Sequence, residues 1–263
     1  MISKRKKAAA IAFNKAAYTY EAAAVVQQKV GYHLAERIER LRMSANPAVL
    51  EVGCGPCLFS RAVISRINPS LWIATDLSPA MVALCRENCG SDRRFLFVCM
   101  DGEIPAISMN SGFDLVCANL VVQWFDDFAG TLGRLARLIK TGGWLAFTTL
   151  ADGTFAEWVE THHQLGLVAG TPVYPDTQTL AHQWPPGGHG TITREIIRHT
   201  YSDAHSFVSM LKTIGASATN RQPLAPGAFR QVLRTFGVDG KPVVVSYHVI
   251  YGLWRRESPE CAS

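Results

Sequence analysis

A doubly wound α/β sheet is the fold this chain predicts, on three observations. Five short apolar runs recur through the first 150 residues, each too brief for a buried helix. Segments with helical periodicity separate them, as parallel strands require. The runs also end one after another in glycine, acid or amide, where such a sheet binds its ligands.

The elements follow in order. "TYEAAAVVQQKVGYHLAERIERLRM" predicts one amphipathic helix, with Ala22, Val26, Val30, Leu34, Ile38 and Leu41 on a single face. "NPAVLEV" is a turn and a buried strand; "LFSRAVISRI" is a helix; "LWIATD" is a second strand. Ser78 and Pro79 suit the N-cap and first turn of the helix "AMVALCREN". "FLFVCMD" and "FDLVCAN" are the third and fourth strands. Phe128, Leu132, Leu135 and Leu138 mark a helix that "KTGG" closes, and "WLAFTTL" is the fifth strand. Beyond Leu150 a helical and loop-like stretch, punctuated by prolines, precedes "TITREIIRHTYS", which alternates like an exposed strand. "AHSFVSMLKTIGA" is helical and "PVVVSYHVIYGLW" is a final strand. The expectation is a mostly parallel seven-stranded sheet with an N-terminal helical lid and an insertion before the last strands. Within one structural domain, residues 1–43 form the lid, 44–150 the ligand-binding core, and 151–263 the cap and closing strands.

The 263 residues are 48% hydrophobic and 18% charged, enough for a substantial core. No apolar run approaches the roughly 20 residues needed to span a bilayer. The basic start lacks the apolar core and cleavage site of a signal peptide, so a cytoplasmic location is expected; a monomer is expected as a separate matter. A net charge of +5 is small for a nucleic-acid face. Lys4, Arg5, Lys6 and Lys7 form either a solvated tail or a contact for an acidic partner. Seven scattered cysteines suit reduced thiols better than a disulfide framework. The histidines between His162 and His248 show no metal spacing and receive no role.

"CGPC", Cys54 to Cys57, matches a thioredoxin-type dithiol motif, but Gly53 stands where that motif carries tryptophan. Zinc bound by Cys54, Cys57, Cys85 and Cys89 is a second rival. Buried thiols are preferred over it, and no metal site is assigned. The strand ends argue for a small-molecule pocket. The first carries Glu51, Gly53, Cys54 and Gly55, with glycines that admit close backbone approach. The second carries Asp76 and Leu77, the acid placed to accept from two ribose hydroxyls. The third leads to Asp101 and Gly102, facing an adenine amino group, and the fourth delivers Asn119. A dinucleotide site needs a third glycine where Leu58 stands, to receive a pyrophosphate at a helix start. A ligand with ribose, adenine and a zwitterionic tail fits instead: S-adenosylmethionine.

"VLEVGCGPC", "ATDLSP" and "FVCMDGEIP" together resemble the class I S-adenosylmethionine-dependent methyltransferases, with Cys57 at the usual third glycine. "AFNKAAYTYEAAAVVQQ", "NLVVQW", "LAFTTL", "LKTIGA" and "SYHVIYGLW" extend the resemblance, from about Ala12 to Trp254, to the malonyl-acyl-carrier-protein O-methyltransferases of biotin synthesis. That resemblance implies esterification of the free carboxylate of a malonyl thioester, with malonyl-loaded acyl carrier protein as partner. A carboxylate with pKa near ~4 needs no general base, so neutral donors suit its pocket. Tyr20, Gln123, Trp124 and Tyr247 are the candidates, with Lys212 for the malonyl carboxylate or the carrier's phosphate. The basic start and Arg61 are expected to face the acidic carrier. Alternatives are another small-acid methyltransferase, or an assembly factor or hydroxylase of the same fold.

Overall fold

The computed structural model describes residues 3–90, 92–107, 112–213, 224–237 and 240–258. Its frame is one seven-stranded sheet, in the order β3-β2-β1-β4-β5-β7-β6. The strands are β1 (Ala48–Val52), β2 (Leu71–Asp76), β3 (Phe95–Cys99), β4 (Phe113–Ala118), β5 (Ile139–Leu150), β6 (Gly188–Tyr201) and β7 (Val243–Arg256). The first five pair in parallel, whereas β7 runs antiparallel to both β5 and β6. Because β1 pairs with β2 on one side and β4 on the other, strand order reverses there, and a crevice opens beyond the strand tips.

The central strands carry apolar side chains on both faces, as burial under helices demands. β1 and β4 are buried at every position. One face packs Val49, Trp72, Leu115 and Tyr247; the other packs Leu50, Val116, Phe147 and Trp254. Strand β6 lies at the edge and alternates between solvent and sheet, matching its sequence pattern.

Helices α3 (Leu58–Ile64), α4 (Pro79–Cys89) and α5 (Phe128–Arg137) follow β1, β2 and β4. The Ser78 hydroxyl accepts from Met81 N (3.3 Å) as the cap of α4, with Pro79 in the first turn. The second half of the chain adds α6 (Ala156–Gln164), α7 (Thr177–Ala181), α8 (Ala204–Thr213) and α9 (Pro226–Phe236). The sequence reading did not name α9, although Phe229, Val232, Leu233 and Phe236 recur at helical spacing. Residues 214–216 of the "LKTIGA" segment lie outside the described residues.

Two expectations about helix ends need correction. The N-terminal helix is not one rod starting near Thr19. It is α1 (Lys4–Ala23) and α2 (Val25–Glu39), broken at Ala24, whose φ of −87° and ψ of 34° leave the helical range. Ser3 caps α1 by accepting from Lys6 N (3.2 Å), so the basic start is helix rather than tail. Ala22 is consequently exposed, whereas Val26, Val30, Leu34 and Ile38 are buried. "KTGG" does not cap α5 either: that helix ends at Leu138, and the four residues already belong to β5. There the β4–β5 register shifts between Phe113 and Leu115, a bulge that absorbs the glycines.

Candidate active site

At the reversal point the strand tips and α1 enclose a cleft of about 770 Å³, measured to its open mouth. Its floor is the turn after β1. Gly53 has φ +72°, and a Cβ there would come within 2.1 Å of Val121 Cγ2. Gly55 has φ +51° and faces open space, so a ligand meets bare backbone. Both Gly53 N and Cys54 N bond to Thr75 O, at 2.7 and 2.8 Å, which ties the turn to β2.

Asp76 closes β2. Its carboxylate accepts from Gly55 N (3.0 Å) and Ser78 N (2.8 Å), which aims it across the glycine turn. Burial pushes its pKa up, against the lowering effect of those amides. Leu77, Asp101, Gly102 and Asn119 complete the wall from the next strand tips. The Asn119 amide is fixed by Thr148 Oγ1 (2.7 Å) and Gln27 O (3.1 Å).

Two residues assigned to this cleft by sequence face elsewhere. Glu51 is fully buried beneath the floor, where its Oε2 accepts from Ser60 Oγ (2.6 Å) and Trp72 Nε1 (2.9 Å). Burial raises its pKa to about 7. Side chains alternate along a strand, and the position at the start of the motif points into the layer below. The Cys54 side chain turns toward Cys85 and lines neither cavity, leaving only its backbone in the floor.

For the fourth wall, the sequence reading had a helical lid and Tyr20, but not the other residues that line it. Lys6, Ala9, Ala10, Phe13 and Tyr20 lie along one face of α1 and roof the cleft. Their spacing of three, four and seven is a helical signal, obscured because the basic start was weighed only as a solvated tail or a partner contact. Lys6 Nζ donates to both Asp101 oxygens (2.6 Å each) and to Glu103 Oε2 (2.5 Å). Burial disfavours the Lys6 charge, but these carboxylates outweigh it and hold the pKa above its ordinary value. Arg5 reaches Asp126 and the carbonyls of Trp124 and Phe125. Arg61 pairs with Glu21 (2.6 Å). Much of the positive charge expected to face a partner is therefore spent inside the molecule; Lys4 and Lys7 remain exposed.

A second cavity of about 440 Å³ adjoins the first and shares Phe13, Tyr20, Leu120 and Trp124 with it. Tyr20, Gln123, Trp124 and Tyr247 all line this cavity, although they lie far apart in sequence. Gln27, Leu150, Phe155 and Tyr174 complete it, so among the described residues no charged side chain borders it. Gln123 Nε2 donates to Leu120 O (2.8 Å), leaving Oε1 buried with no hydrogen-bond partner among the described residues. The Tyr247 and Tyr201 hydroxyls bond to each other. Burial, aided by nearby tyrosines, pushes the Tyr247 pKa up; burial and then the Asp76 charge do the same to Tyr20. Both therefore act as neutral donors. Lys212 is exposed on α8 and lines neither cavity.

Comparison with known proteins agrees with this geometry. Residues 50–147 match the family described as "Methyltransferase domain". The malonyl-[acyl-carrier protein] O-methyltransferase of Magnetococcus marinus is 36% identical over 245 residues, spanning 91% of this chain and 89% of that protein. The chain belongs to that family. The biotin biosynthesis bifunctional protein BioCD of Bordetella avium is 39% identical over 246 residues; 93% of this chain aligns with it, but that match spans only 51% of its length. Among solved structures, YcgJ of Bacillus subtilis superposes with a TM-score of 0.62 at 14% identity, covering 86% of this chain and 99% of that one. The protein BH2331 of Bacillus halodurans gives 0.60 at 15%, with the same coverage. These likenesses establish the fold, that of the class I methyltransferases. The enzyme is an S-adenosylmethionine-dependent methyltransferase, and the glycine turn opposite Asp76 suits an adenosyl group.

Proposed function

We propose that the enzyme methylates the free carboxylate of a malonyl thioester, presented on acyl carrier protein, to its methyl ester. The observation that carries this reading is the pair of adjoining cavities. One is walled by strand-tip acids and glycines, and the other is lined by uncharged donors.

In the first cavity Asp76 would accept from the ribose hydroxyls. Asp101 is placed for the adenine amino group, although the Lys6 ammonium already holds both its oxygens. When bound, S-adenosylmethionine supplies a methyl group on a positively charged sulfur. In the second cavity Tyr20, Gln123, Trp124 and Tyr247 would orient the acceptor. A malonyl carboxylate, with pKa near ~4, is ionised at neutral pH and needs no base. Its oxygen would take the methyl carbon as the carbon–sulfur bond breaks, which would neutralise both charges. A tight salt bridge would hold the oxygen's lone pairs, and the lining offers none. The chain's contribution is alignment and exclusion of water, under the roof formed by α1. Tyr20 and Trp124 stand in the shared wall, where the methyl group would cross.

Residues 1–43 thus serve as lid. Incubation with methyl-labelled S-adenosylmethionine and malonyl-acyl carrier protein tests the reading. A base-labile labelled ester on the carrier is expected. Label transferred instead to another small acid, or to none, would reject the malonyl assignment.

A further inference from the structure

Methyl transfer uses none of the sulfurs beneath the glycine turn, and among the described residues three of them form a cluster that could hold a metal ion. Cys57 and Cys89 form a disulfide, 32 residues apart in sequence, with Cα atoms 6.6 Å apart. This corrects the expectation of reduced thiols throughout. β1 and β2 are neighbours, so the turn after β1 meets the end of α4, a proximity that spacing does not reveal. The Sγ atoms of Cys57, Cys85 and Cys89 all lie within 4.8 Å of one another. Cys54, also buried, hydrogen-bonds to Cys85.

We infer that in the reduced protein Cys57, Cys85 and Cys89 bind one zinc-class cation that staples the glycine turn to α4. The donor chemistry suits zinc: three thiolates converge from the glycine turn and from one face of α4, and soft sulfur ligands select such cations. In the structure, i and i+4 place Cys85 and Cys89 on one face, toward the turn. Cys57 also sits at φ 75°, a left-handed position where glycine is unstrained and cysteine is not. The sulfur is held there despite that penalty. Asn88 Nδ2 donates to Pro56 O (2.9 Å) across the same seam.

The chemistry balances simply. A phosphine or dithiol delivers two electrons to the disulfide, which takes up two protons and becomes two thiols. The cation then displaces one proton from each sulfur it binds.

The test uses the full chain, reduced with a phosphine and desalted without air, then loaded with zinc or cobalt(II) and dialysed. Wild type is expected to retain about one equivalent of zinc. Its cobalt form should show thiolate-to-metal charge transfer and the red bands of a tetrahedral site. Cys85→Ser leaves the disulfide pair intact, and Cys57→Gly suits the backbone angle. Each should lose at least tenfold in metal affinity while still binding S-adenosylhomocysteine, which shows that it folds. Cys99→Ser, exposed and outside the cluster, should load like wild type. Reduced wild type that retains no metal would overturn the proposal. So would Cys85→Ser and Cys57→Gly proteins that load as well as wild type.

Discussion

The first cavity sets two carboxylates, Asp76 and Asp101, on strand tips, whereas the second is lined by aromatic, amide and leucine side chains and, among the described residues, by no charge. The first draws on consecutive β-strand ends and one roofing helix. The second gathers residues from Phe13 to Tyr247, including α1, the turn after β4, and β7. The contrast follows from what each must hold. An adenosyl group is recognised by fixed hydrogen bonds, so rigid strand tips serve it. A carboxylate that must give up an electron pair is better held by neutral donors than by an ion pair.

Breaking the lid attacks both cavities at once, and it should have the largest effect. Lys6→Met leaves Asp101 and Glu103 beside each other without their shared cation. Removing one partner of a buried ion pair costs about 3 to 5 kcal/mol. Urea unfolding should show a loss of that order, and hydrogen exchange should show α1 protection lost first. An unchanged midpoint would mean that the roof is not latched there.

Asp76→Ala strikes the first cavity alone. Charge-assisted hydrogen bonds of this kind contribute about 1.5 to 3 kcal/mol, so calorimetry should find S-adenosylhomocysteine bound roughly 10- to 150-fold more weakly. Malonyl-carrier affinity should stay within twofold. Equal losses for both ligands would blur the division between the cavities.

Glu51 offers a smaller effect with a defined sign. Burial raises its pKa from 4.5 to about 7, so folding favours its protonated form. Its contribution to stability is complete below pH 4.5 and is lost as pH rises through 7. Between pH 5 and pH 8 the wild type should therefore lose about 2 kcal/mol relative to Glu51→Gln. Parallel stability curves for the two proteins would show that Glu51 is ionised in the fold.

Tyr247→Phe should have the mildest effect and sharpen the comparison most. It removes one neutral donor from the second cavity, worth about 1 kcal/mol. Turnover of malonyl-carrier protein should fall about fivefold, with cofactor affinity unaltered. A weakened cofactor instead would place this hydroxyl in the wrong cavity.

Legibility in the sequence followed the range of each interaction. Gly53, Gly55, Asp76 and Asp101 were readable because strand period and turn chemistry are local. Glu51 and Cys54 share that motif, yet their side chains face the buried layer, which the motif does not specify. Lys6 was hidden because its partners lie 95 and 97 residues away. Without them the basic start looks like any solvated tail. Lys212 came from a resemblance, and its exposure on α8 separates it from both cavities. The Cys57–Cys89 bond depends on two β-strands being neighbours, which no local pattern encodes.

A structure of the enzyme with bound S-adenosylhomocysteine tests the two-cavity account most directly. The account predicts ribose hydroxyls on Asp76, adenine beside Asp101, and the sulfur turned toward Tyr20 and Trp124 in the shared wall. Density for the ligand elsewhere, or a sulfur pointing away from that wall, would contradict it.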